Sequence, residues 1–362
     1  MSEYEALAKN VLKKTLRVKP GENVIVETWN HGIPIAREFV YQTRALGARP
    51  LLMFEDEEAF WRSASEIPKA KLGKVGSHEW AAMKEADAYV FISGPADINK
   101  MRELREGYNA MTAYNSEWYR RAEKYRIRGA RVSLGYVSEQ RARAYGFDLD
   151  AWRHMMLQAS AVDPAVLRKN GARIQRLLSR KGHVVVSHPN GTRFEFDLTG
   201  RKAVLDAGVI TKETLDDGEV MTSIPAGELS VLPDVRSGEG TIRFDRPVAS
   251  FGRFMRGLTV AFDRGRVAKW SAQDNEDILR PQWEKAKGGK DLLAGFQIGL
   301  NPEAQTGYLQ DYLVAGNVYI AIGDSDEFGG KSTTDFYLAS TLTGATVTIG
   351  GTAVVDGGRL VP

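Results

Sequence analysis

Residues 19–54, KPGENVIVETWNHGIPIAREFVYQTRALGARPLLMF, read in succession as strand, helix and strand. Lys19-Pro20-Gly21-Glu22 breaks the segment before it, and Asn23 to Glu27 is an apolar run of the length of a buried strand. From Ile33 to Leu46 the apolar residues recur at helical spacing, and Gly47 supplies a good C-terminal stop. Pro50 to Phe54 is the next strand. Two strands joined through a helix run parallel, because a crossover of that length returns the chain to the same end of the sheet. The opening of the chain is therefore an α/β domain.

Working outward, residues 3–17 place Tyr4, Leu7, Ala8, Val11, Leu12 and Leu16 on one helical face. Ala88–Ile92 and Arg131–Leu134 extend the sheet, with helical segments at 76–86 and 115–126. A dinucleotide fold would carry G-x-G-x-x-G directly after its first strand. The residues after Val26 are Glu27-Thr28-Trp29-Asn30-His31-Gly32, which argues against a nucleotide site. Helical stretches at 150–158 and 164–179 lead into a different second half. From residue 183 short alternating strands dominate, punctuated by Pro189-Asn190-Gly191, Asp263-Arg264-Gly265 and Asp356-Gly357-Gly358. The second of these turns joins Leu258–Phe262 to Val267–Trp270 as a hairpin. The expected organisation is an N-terminal α/β domain with a mostly parallel sheet over 1–180 and a C-terminal β-rich α+β domain over 181–362.

The composition, with 43% hydrophobic and 26% charged residues in 362, is that of a globular chain long enough for two cores. A net charge of +3 with Lys and Arg scattered among Asp and Glu gives no electrostatic footprint for nucleic acid. The densest basic stretch, 168–181, interleaves Ile174, Leu177 and Leu178 at helical spacing and reads as the wet face of a helix. The absence of cysteine removes disulfides, a thiolate nucleophile and thiolate zinc sites. The start, Met1-Ser2-Glu3-Tyr4-Glu5, lacks the basic and apolar regions of a secretory signal. No apolar run approaches the roughly 20 residues that span a bilayer. The expectation is a cytoplasmic protein that binds neither nucleic acid nor membrane.

Four segments in the second half carry a recognisable frame: Pro225-Ala226-Gly227-Glu228, Ile298-Gly299-Leu300-Asn301-Pro302, Val318 to Gly323, and Gly329 to Tyr337. In order and spacing they resemble the aminopeptidase T/aminopeptidase S family of two-metal exopeptidases. The resemblance extends to LAKNVLKKTLRVKPGENVIVET (7–28), AREFVYQTRALGARPLLMF (36–54), VVVSHPNGTRFEFDLTGR (184–201) and SIPAGELSVLP with GEGTIRF (223–233 and 238–244). It implies an aminopeptidase T-like fold, a site in the C-terminal domain and a homodimer around an enclosed cavity.

Carried over residue by residue, the family's ligands are mostly replaced. Glu228 keeps the Glu of Pro-x-Gly-Glu. The Glu before Gly-x-Asn-Pro falls on Gly295, and the next Glu falls around Tyr312, beside Asp311. The first His falls on Tyr319, and the His-x-Asp pair falls on Asp335 and Tyr337. All five histidines, His31, His78, His154, His183 and His188, precede residue 189. Glycine offers no ligand atom, and a neutral tyrosine with a pKa near ~10 is a poor one. Iron-dependent ring-cleaving dioxygenases of dihydroxypyridines, which the resemblance also brings in, would need the same lost set.

The expectation is thus a family member without metal or other cofactor, binding a peptide or small molecule in its cavity or doing non-metal chemistry there. The alternative is an active aminopeptidase holding two divalent ions, zinc or cobalt, in a rewired shell. The candidate cavity residues are Glu228, Asn301, Tyr319, Asp335 and Tyr337, with no catalytic residue assigned. Each also has a plain structural role to offer: Glu228 and Asp335 as turn residues, the two tyrosines as packed strand aromatics. The acidic run Asp324-Ser325-Asp326-Glu327 lacks the glycine and distal Glu of a calcium loop and reads as solvated loop.

Overall fold

The structure is a computed structural model and describes residues 2–361. It has a parallel sheet with helices in the first part and antiparallel sheets in the second. The first sheet contains β1 (Asn23–Trp29), β2 (Arg49–Glu55), β3 (Ala88–Ile92), β4 (Arg128–Val132) and the later strand Met221–Ile224. Their order is β2-β1-β3-β4 and then Met221–Ile224, all parallel. The crossover from β1 to β2 is helix Ile33–Ala45, with Pro34 in its first turn and Gly47 left-handed (φ 75°) beyond its end. On one face of this sheet, Ile25 and Tyr89 pack with Met83, Ala122 and Ile127 from the helical side.

The chain forms two compact units, and their border is not the one expected near residue 180. One unit holds the residues up to Ala161 together with Gly208–Ala226; the other holds Val162–Ala207 and the residues from Gly227 onward. The physical reasons are two. Helix Pro164–Leu178 puts Ile174 and Leu178 into the core of the second unit, and its Gln175 and Asn170 amides donate to the carbonyls of Ala203 and Leu300. Met221–Ile224 returns to the first sheet, where Gly129 to Val132 pair with it. Strand β4 also ends earlier than expected, because Ser133–Tyr136 turns into a 3₁₀ helix.

In the second unit an eight-stranded sheet contains the Asp263-Arg264-Gly265 hairpin, which joins Thr259–Asp263 to Arg266–Ser271. A five-stranded antiparallel sheet orders Tyr337–Leu342, Val318–Gly323, Leu293–Gly299, Glu228–Val231 and Val204–Asp206. The two sheets meet through aromatic rings, with Phe196 of one and Phe296 of the other 5.0 Å apart. Leu293–Gly299, at the centre of the five-stranded sheet, is buried at every position. His183 and His188 both lie on strand Lys181–His188. Five residues apart on one strand, they point to opposite faces and cannot form a pair.

Candidate functional site

The side chains of a strand alternate, and pairing fixes which residues of neighbouring strands share a face. In the five-stranded sheet Asp206 is opposite Glu228, Glu228 is opposite Gly299, and Gln297 is opposite both Ser230 and Tyr319. Gly295 is opposite Ala321, and Gly323 is opposite Tyr337. Asp206, Glu228, Gly295, Tyr319 and Tyr337 therefore share one face. The other face carries Leu229, Phe296, Ile298, Ile320 and Leu338, all in the core. The alternation that sends the apolar residues inward delivers the candidate residues together outward.

On that face the groups are linked by short contacts. The Tyr319 and Tyr337 hydroxyls lie 3.1 Å apart, and Tyr337 donates to Glu327 Oε2 at 3.0 Å. The Tyr312 ring packs on Tyr319 at 5.8 Å between centroids. These tyrosines line a cavity of about 390 Å³ whose walls include Arg246, Phe251, Phe254 and Leu309. Tyr337, 39% exposed, is the most open of them.

The electrostatics of the cluster favour neutral forms. Burial, reinforced by Asp206 and Glu327, pushes the Glu228 carboxyl up to about 8. Burial is also the main reason that the Tyr312, Tyr319 and Tyr337 hydroxyls hold their protons well above the usual tyrosine range. Neighbouring carboxylates add to the effect in each case. At neutral pH the tyrosines on the cavity wall are thus neutral, and Glu228, which shares the sheet face of Tyr319 and Tyr337 without lining the cavity, is mostly protonated.

The remaining candidates are placed differently. Asn301 is fully buried, and its Oδ1 accepts from the N–H groups of Glu303 and Ala304 at 3.0 and 3.1 Å. It holds the turn at Pro302. Asp335 is exposed and does not line the tyrosine cavity. Asp311, next to the position where a family Glu falls, is 7% exposed and fully used. Its Oδ1 accepts from the N–H groups of Gly307 and Tyr308, and Oδ2 from Arg246 Nε at 2.5 Å.

Three participants lie outside the candidates the sequence offers, Glu327 reading there only as part of a solvated acidic run. Asp206 and Glu327 enter the cluster through strand register and loop closure. Phe328 enters by packing: a β-carbon built on Gly295 would stand 2.2 Å from the tip of its ring.

The donor set does not fit a pair of divalent ions. Of the positions where the resemblance places ligands, Gly295 is covered by the Phe328 ring and three are tyrosines, and the nearby Asp311 is tied up. Among the described residues, no group of three or more His, Asp or Glu side chains is placed to hold a metal ion.

The sequence matches the thermophilic metalloprotease (M29) family over residues 2–293. Among solved structures it is similar to wild-type AmpT from Thermus thermophilus, with 17% identity, a TM-score of 0.75 and 99% of each chain covered. It is also similar to the 2,5-dihydroxypyridine dioxygenase from Pseudomonas putida KT2440, with 15% identity and a TM-score of 0.65, covering 99% of this chain and 96% of that one. At these identities the likeness shows the fold. No curated protein matches the sequence. Among the described residues no helix is long and apolar enough to cross a membrane.

Proposed function

The chain belongs to the thermophilic metalloprotease (M29) family, and from that premise we propose that it is a member that works without the family's pair of metal ions. In this reading the tyrosine-lined cavity of the second unit binds a peptide or another small organic molecule. The observation that carries it is the Phe328 ring packed onto Gly295, which leaves no room for a ligand side chain there. The neutral wall supports it. The tyrosines on the cavity wall keep their protons and present neutral hydroxyl groups rather than charge to cations. Phe251, Phe254 and Leu309 would cover an apolar body. A cavity of about 390 Å³ is the size of a small-ligand site.

The test is calorimetric titration of a dipeptide panel in the presence of chelator. Saturable binding that weakens about tenfold in Tyr337→Phe, the loss of one hydrogen bond to a ligand group, is the expected result. Binding that depends on added zinc or cobalt would sink the proposal.

One observation favours a second reading, an active aminopeptidase with a rewired shell. Glu228, Asp206 and Glu327 lie within electrostatic reach of one another, and a cation would relieve their repulsion. Metal analysis of protein purified without chelator separates the two: the second reading requires stoichiometric zinc or cobalt, and the first requires far less.

A further inference from the structure

The first unit has a cavity of about 530 Å³, open on one side, between the faces of β1–β3 and helices Ser77–Lys84 and Asn115–Tyr125. Its floor comes from strand register. Ile25 is opposite Leu51 and Tyr89, and Glu27 is opposite Met53, so Ile25, Glu27, Met53 and Tyr89 share the face that looks into it. Three carboxyls line it, Glu27, Glu55 and Glu79, and no Lys or Arg does. The rest of the lining is largely apolar and aromatic, with Trp80, Tyr114 and Trp118 beside Tyr89. The Trp118 ring stands edge-on to Tyr89 at 5.0 Å.

We propose that this cavity is a binding site for an organic cation, an amine or quaternary ammonium head on a small apolar body. Three features carry this. Among the described residues no Lys or Arg pairs with these carboxyls. Glu27 takes a hydrogen bond from the Tyr89 hydroxyl, while Glu79 accepts from the Gly76 N–H and lies 3.7 Å from the His78 ring at the open rim. Arg121 lies over the Trp80 ring and is paired to Glu117 at 2.7 Å. By contrast, the half-buried Glu22 is paired with Arg128, and Asp311 with Arg246.

The carboxyls are also spread out. No three of them, nor His78 with them, are arranged to hold a metal ion among the described residues. The charge they favour is therefore one carried on a larger body, which aromatic faces attract as well. The cavity's walls are the third feature. Ile25, Met53, Trp80 and Trp118 surround the carboxyls with apolar and aromatic surface that would cover an apolar body. Burial, with Glu55 and Glu79 adding to it, pushes the Glu27 carboxyl up to about 7, against the pull of the Tyr89 hydrogen bond. A bound cation would reverse that shift.

The experiment is calorimetric titration of the full chain at about pH 8, where Glu27 is ionised. The probes are benzylamine, benzyltrimethylammonium and benzoate, which share a ring and differ in charge. Both cations should saturate one site, and benzoate should give no heat of binding. Glu27→Gln and Glu55→Gln should each weaken the cations about tenfold, with circular dichroism confirming the fold. Glu55, at the end of edge strand β2, serves if Glu27→Gln does not fold. The proposal is overturned if neither cation binds, if benzoate binds as tightly, or if cation binding survives both substitutions at full strength.

Discussion

The ring of Phe328 lies against the backbone of Gly295, its outer carbons 2.2 to 2.3 Å from where a β-carbon at that position would stand. Glycine and phenylalanine thus fill one volume between them, and that volume is where the family frame would project a carboxylate. A side chain at 295 and the ring at 328 exclude each other. The packing therefore leaves no room for a larger side chain at 295 while the ring stays in place.

Gly295→Ala should destabilise the protein by about 1–3 kcal/mol, the usual cost of overpacking a filled site. Phe328→Ala leaves room for the new methyl group. In a double-mutant cycle by urea unfolding, the two changes should couple, with Gly295→Ala costing little once the ring is gone. Strict additivity would mean that the ring moves aside freely, and the packing argument would fail.

The pH dependence of stability should carry the mark of Glu228. Its carboxyl titrates near 4.5 when unperturbed and is pushed up to about 8 in the fold. A raised folded pKa means that the native state holds the proton more tightly. The stability this gives is fully present below about pH 4.5 and is lost as pH rises through about 8. Within that window the loss is at most about 1.4 kcal/mol per pH unit. Glu228→Gln keeps a neutral side chain at every pH, so its stability relative to wild type should increase from pH 5 to 8. A constant difference across that range would show that the carboxyl is not buried as described.

How legible this was in the sequence depends on the range of each interaction. The β1–helix–β2 unit follows from local periodicity and one glycine stop, and both stand in the structure. The shared face of Glu228, Tyr319 and Tyr337 follows from motif order combined with a period of two. What could not be read is non-local. Strand Met221–Ile224 pairs with β4 across a long stretch of intervening chain, and nothing in its composition names that partner. Phe328 reaches Gly295 only because its loop is folded back by hydrogen bonds around Ser325, whose hydroxyl accepts from the Ser332 N–H. Glu27 sits in an apolar run that reads as buried strand; that its face opens onto a cavity depends on helices far along the chain.

Asp311 should matter for architecture rather than chemistry. Its two oxygens hold Arg246 and the N–H groups of Gly307 and Tyr308, all on the cavity wall. Asp311→Ala strands a half-buried guanidinium and should cost about 3–5 kcal/mol. Asp311→Asn keeps an acceptor for the N–H groups and should cost clearly less. Urea midpoints of the two variants check the order. Equal costs would mean that the Arg246 contact alone accounts for the role of Asp311.

The chain should release no leucine or arginine from amide substrates above background, with or without added cobalt, zinc or magnesium. Hydrolysis through a metal-bound water requires the ion to lower that water's pKa from about 15.7 to about 7, which only a firmly held ion does. Here the firm ligands are missing. Gly295 is covered by a ring, Tyr312, Tyr319 and Tyr337 keep their protons, and Asp311 is committed to Arg246. Glu228 with Asp206 and Glu327 would have to hold an ion without imidazole support, and such an ion would exchange with buffer. Fluorogenic leucyl and arginyl amides, assayed with wild type and Glu228→Gln side by side, give the answer. Equal, background rates are the expected outcome. Metal-dependent turnover in wild type that Glu228→Gln abolishes would mean that the carboxylates do hold an ion. The metal-free reading of the second unit would then give way to the aminopeptidase one.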